Sequence, residues 1–119
     1  MASVDKHLEI MRIKREGACT ELKAGRLSNF ADLIFKAAEQ AVEALLSLEV
    51  VGEKHSRLQV REFLREKYPA LVEKYDSLYA IYQELGYPPA KDGEKAEKAK
   101  EIAEQLMGKC LDELGRREK

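Results

Sequence analysis

Between Phe30 and Leu48 the chain reads FADLIFKAAEQAVEALLSL, and Phe30, Ile34, Ala38, Ala41, Leu45 and Leu48 recur at spacings of three and four. That period is helical. Phe35, Val42 and Leu46 widen the stripe until the segment is apolar over more than half of its circumference. A helix of this kind cannot lie on a surface; other elements have to surround it. The rest of the sequence supplies only helices to do so, since it holds no alternating apolar and polar run and no internal repeat.

Val4, Leu8, Met11, Ala18 and Leu22 predict a first helix over about residues 3–24, with Arg15 interrupting the seam and Gly25 as its exit. Ser28 is the expected N-cap of the central helix. The pattern breaks at Gly52, and Ser56 followed by Gln59 forms a capping box that opens a short helix carrying Val60, Phe63 and Leu64 inward. Tyr68-Pro69 ends it, because the residue before proline disfavours the α region, while Pro69 suits the first position of a new helix. Leu71, Val72, Tyr75, Leu78, Tyr79, Tyr82 and Leu85 follow, and Gly86 closes that helix before the loop YPPAKDG. From Glu94, the residues Ala96, Ala99, Ala103, Leu106, Cys110 and Leu114 mark a long last helix, with Gly115 as its expected end. The expectation is an all-α fold: one domain over residues 1–119, an up-and-down bundle of four long helices plus one short helix at 56–67.

Charged residues make up 36% of the chain yet balance to −1, which argues against a general nucleic-acid coat and leaves room for a local basic patch. No apolar run approaches the ~20 residues of a membrane span, and the amphipathic N-terminus has no signal-peptide core, so a cytoplasmic location is expected. Cys19 and Cys110 lie far apart, each within a helical pattern and with no CxxC, which favours buried thiols over metal ligands. A bond between them stays open, as intracellular disulfides are known in hyperthermophiles, and the Lys/Glu enrichment and single Asn lean that way. The residue three before His55 is Gly52 and three before His7 is Val4, so neither the Glu-x-x-His pairs of a di-iron bundle nor HExxH occurs. No nucleophile elbow or glycine-rich phosphate loop is present either. No metal and no cofactor is expected, and the chain leans away from being an enzyme.

The stretch with most chemical content is KHSRLQVREFLREK, residues 54–67, with five basic and two acidic side chains. Arg57, Arg61 and Arg65 stand at four-residue intervals on one helix face. Lys54, His55 and Ser56 precede that face at a helix N-terminus, where unpaired N–H groups favour a phosphate. The plainer reading makes His55 a helix-opening residue and the arginines a solvated face neutralised by Glu62 and Glu66. Arginine forks match phosphate better than lysine would, which keeps both readings in view. Tyr79 and Tyr82, with Tyr75 on the same stripe, are candidates to stack on a base; at this spacing, tyrosines also serve as core or interface aromatics.

The run FADLIFKAAEQAVEALLSLEVVGEKHS, a following aromatic-rich helix, ELGYPP and the helix EKAEKAKEIAEQL together resemble the HEPN (higher eukaryotes and prokaryotes nucleotide-binding) superfamily over roughly residues 25–115. Gln40-Ala41-Val42-Glu43 is similar to a stretch of the family's central helix, and His55-Ser56 to the pair that opens its next one. The resemblance implies a helical bundle that dimerises and partners a minimal nucleotidyltransferase, or a metal-independent ribonuclease. The ribonuclease members share Arg-x4-6-His, and here Leu48, Glu49 and Val50 occupy the arginine's possible positions. Ser47 stands where the family has lysine. The expected function is therefore a non-catalytic module that binds a nucleotide, RNA or a nucleotidyltransferase through residues 54–67. The alternative is a structural bundle that acts by self-association or scaffolding. A homodimer is expected from the sequence itself, since the apolar ridges exceed what one small bundle easily covers.

Overall fold

The computed structural model describes residues 2–49, 56–87 and 91–117. Among these there are five helices and no strand: α1 (Ala2–Lys23), α2 (Leu27–Leu46), α3 (Arg57–Lys67), α4 (Pro69–Leu85) and α5 (Gly93–Arg117). The break expected at Gly52, together with Lys54, His55 and the Pro88–Ala90 part of the last loop, lies outside the described residues.

The helix ends follow local chemistry. Gly25 adopts φ 76°, the left-handed conformation that glycine enters without a Cβ clash. Its N–H donates to the Leu22 carbonyl and the Arg26 N–H donates to that of Glu21, a Schellman exit from α1. The chain then enters α2 at once: the Phe30 N–H already donates to the Arg26 carbonyl at 3.0 Å. Arg26, without a side-chain cap bond, is therefore the N-cap, and Ser28 lies inside the helix instead of capping it. At α3 the expected capping box is present in full, with Gln59 N–H donating to Ser56 Oγ at 3.1 Å and Ser56 N–H donating to Gln59 Oε1 at 2.7 Å. Pro69 opens α4 one residue after α3 ends, and Tyr68 (φ −140°, ψ 64°) is the hinge between them. α5 passes through Gly115 to Arg117. The expected stop there fails because Arg117 is held at both Glu49 (3.0 Å) and the Tyr68 hydroxyl (2.8 Å).

Side-chain pairs fix the direction of each helix. His7 meets Gln40 while Gly17 meets Leu33, so α1 and α2 are antiparallel. Glu39 meets Tyr75 while Phe35 meets Tyr79 and Tyr82, which makes α4 antiparallel to α2. Lys74 meets Gln105 and Lys95 meets Glu84, which turns α5 back again. The four long helices alternate, and the short α3 pairs antiparallel with α4 and runs alongside α2. A 25-residue helix is about 38 Å long, and α5 sets the 42 Å long axis of a bundle 24 by 22 Å across.

α2 is the hub and packs against all four other helices. Phe30, Ile34, Ala38, Ala41, Val42 and Leu45 are all at most 1% exposed. The alanines let neighbours approach closely, and at Gly17 of α1 a Cβ would come within 3.3 Å of the Leu33 side chain. Leu48 follows in the turn after α2, half-buried against the same core. Ala96, Ala99, Ala103, Leu106, Cys110 and Leu114 form the buried face of α5, joined by Met107. Cys110 is fully buried and Cys19 half-buried, and both are free thiols. No helix among the described residues is long and apolar enough to cross a membrane.

Candidate functional site

A cluster of aromatic and charged side chains forms where α3 packs against α2 and α4. Phe35 of α2 is 1% exposed and faces three tyrosines of α4, stacking on Tyr82 at 4.8 Å and 11°. Tyr79 tilts against the same ring at 5.5 Å. One turn along α2, Glu39 brings a carboxylate into this aromatic wall. Its Oε2 accepts a hydrogen bond from the Tyr75 hydroxyl at 3.0 Å, and Tyr75 is itself 1% exposed.

Arg57, the first residue of α3, closes the cluster from outside. Its guanidinium carbon lies 4.4 Å from the Tyr79 ring centroid and 5.2 Å from that of Phe35, a cation–π arrangement. Arg57 Nη1 donates to the Tyr79 hydroxyl at 3.3 Å, and that oxygen also accepts from Gln83 at 3.1 Å. The Arg57 Nε stands 3.6 Å from Glu39 Oε2, beyond the 2.7–2.9 Å of a strong charge-assisted bond. Burial raises the Glu39 carboxyl above its ordinary range and neighbouring Glu43 adds to this, while the Tyr75 hydroxyl and Arg57 hold it down. Burial also raises the Tyr75 phenol, with the Glu39 charge beside it reinforcing the shift. Burial by itself would lower the Arg57 guanidinium, but Glu39 and the two tyrosines outweigh it.

The remaining arginines of α3 are tied down differently. Arg61 makes a two-bond fork to Asp76 of α4, at 2.9 and 3.0 Å. Arg65 is paired with Glu62 one turn back, and Lys67 stands 3.6 Å from Glu49. The structure thus brings Arg57, Tyr79 and Tyr82 together around Phe35 and leaves Arg61 and Arg65 further along α3 with their own acids. Ser56 Oγ is engaged by its own helix. One face of each tyrosine is taken, that of Tyr82 by Phe35 and that of Tyr79 by Arg57.

Sequence reasoning missed Glu39, Tyr75 as its hydroxyl donor, and Asp76. A carboxylate one turn after Phe35, on the widest apolar helix of the chain, was the available signal for Glu39. His7, considered in the sequence only as a metal ligand, has a partner that its spacing did not show: it is 8% exposed, and its ring donates through Nδ1 to Gln40 Oε1 at 2.7 Å. Among the described residues, no three His, Cys, Asp or Glu side chains come together as a metal-binding group. No protein-family model matches the chain, and it matches no curated protein and no solved structure.

Proposed function

We propose that this chain is a non-catalytic, HEPN-like helical module that receives the phosphate of a nucleotide or RNA at the α3 end of the bundle, with Arg57 as the receiving cation. One observation carries the reading. The Arg57 guanidinium is laid on an aromatic face, its side chain stays 43% exposed, and its acid partner is no nearer than 3.6 Å. A guanidinium has five donors, more than the Tyr79 hydroxyl and the more distant Glu39 carboxylate can use. Arg57 also stands in the first turn of α3, where the helix dipole favours an anion. A nucleotidyltransferase remains the partner that the resemblance to HEPN proteins suggests.

The test is a titration of AMP and of a short single-stranded RNA against the wild-type chain and Arg57→Gln. Binding is expected to be weak and lost in Arg57→Gln. If Arg57 is the main phosphate contact, the salt slope for RNA should be about −0.7 to −1.4, the value for one or two neutralised phosphates. A slope several times steeper would mean that Arg61 and Arg65 leave their acids to join in. No binding by the wild type sinks the proposal.

Self-association is the second reading, and Leu58 favours it. This leucine is 67% exposed and itself lines a 420 Å³ groove together with Leu46, Phe63, Glu62, Glu66 and Lys67. An exposed leucine in the wall of an apolar groove is a surface that a two-fold interface would cover on both copies. Sedimentation at tens of micromolar should then show a dimer that Leu58→Glu dissociates; a monomer throughout would reject it.

A further inference from the structure

We infer that Glu39 is a built-in counter-ion that competes with the phosphate for Arg57 and so sets how tightly this site binds. The inference rests on the reading of Arg57 just given. Two ion pairs on the same helix, one turn apart, show what distinguishes it. Arg61 and Asp76 meet fork to fork at 2.9 and 3.0 Å, with both donors used on one carboxylate. Arg57 and Glu39 do not close in this way. The Glu39 Oε2 is taken by the Tyr75 hydroxyl at 3.0 Å, which holds the carboxylate back among the aromatics. The guanidinium is held in turn by Tyr79 on its face and hydroxyl.

The consequence is an acid that lowers the potential at Arg57 without occupying its donors. Glu39 is mostly buried, with 22% of its side chain exposed, so water screens it less than it screens Glu62 at 38%. An arriving phosphate that contacts Arg57 also feels Glu39 behind it, a few ångströms further away. Removing the Glu39 charge while keeping its oxygen leaves Tyr75 a partner and Arg57 its aromatic bed. The site then changes from nearly neutral to cationic with its geometry kept.

Glu39→Gln is the decisive variant, and Glu62→Gln is its control. Both remove one negative charge and both take a carboxylate from an α3 arginine, but only the first faces Arg57. AMP and a short single-stranded RNA are titrated against wild type, both variants and Arg57→Gln at low salt, with circular dichroism confirming the helical fold of each. The expected result is that Glu39→Gln binds about three- to tenfold tighter than wild type, as a unit charge ~6 Å away would give at an effective dielectric of about 40–80, the well-hydrated end of the range, while Glu62→Gln changes affinity less than twofold. Tightening for AMP as well as RNA would place the effect at a single phosphate; tightening for RNA alone would place it at a strand, and either supports the inference. Equal tightening by the two variants would reduce Glu39 to a contribution to net charge and overturn it. Unchanged affinity in Glu39→Gln, with wild type still binding, would overturn it and leave Arg57 as the receiving cation. No binding by wild type or Glu39→Gln would reject both.

Discussion

Glu39 and Cys110 show how burial alone changes what a side chain does. Burial raises the Glu39 carboxyl, so the folded state holds its proton more tightly than the unfolded chain, whose value is near 4.5. The stability this supplies is fully present below that ordinary value and is lost as pH rises through the raised one. Glu39→Gln should therefore be more stable than wild type at neutral pH. The advantage should shrink as pH falls towards the ordinary carboxylate range, which urea unfolding at a series of pH values would show. A constant difference across that range would mean that Glu39 acts through packing alone. Cys110 is 0% exposed, and burial pushes its thiol up to about 12, so the nucleophilic thiolate is scarce at ordinary pH. A maleimide at pH 8 should label Cys19 first and reach Cys110 only at the rate of unfolding, as peptide mass spectrometry would resolve.

At the scale of elements, α3 is the helix whose formation depends most on its cap. It has 11 residues, short of what is stable alone in water, and buries only Val60, Phe63 and Leu64. Ser56→Ala removes the acceptor for the Gln59 N–H and should cost about 1 kcal/mol, with faster amide exchange confined to the first turn of α3. The turn between α1 and α2 depends on a single glycine. Gly25→Ala puts a Cβ into a left-handed backbone and should cost about 1–2 kcal/mol, although nothing lies within 4 Å of the new atom. A cost near zero would mean that the turn changes its φ at no expense to α2.

For the whole molecule, Phe35 is the residue that several helices share. It is 1% exposed, lies against Tyr75, Tyr79 and Tyr82 of α4, and sits beneath Arg57 of α3. Phe35→Ala should cost about 3–5 kcal/mol, a large share of the stability of a domain this size. Loss of the same ring should also loosen Arg57, so any phosphate binding should weaken in step. Thermal unfolding and the AMP titration on the one variant measure both effects, and binding that survives a large fall in stability would separate the aromatic wall from the site.

Local signals were legible wherever one residue's own chemistry decides the backbone. The period of α2 marked it as the hub, Ser56 with Gln59 marked the start of α3, and Pro69 the start of α4. Signals that a neighbour can overrule were not legible. Ser28 is a good cap, but the Schellman turn at Gly25 delivers the chain into α2 before reaching it. Gly115 weakens a helix by about 1 kcal/mol, yet α5 continues because Glu49 and Tyr68, distant in sequence, anchor Arg117. The same holds for charge. By itself the sequence determined that α3 carries a row of arginines at helical spacing, because that follows from a period of 3.6. Only the tertiary structure decided that Asp76 closes on Arg61 while Glu39, held back by Tyr75, leaves Arg57 on its aromatic bed, because counter-ions on other helices are chosen by packing and not by spacing.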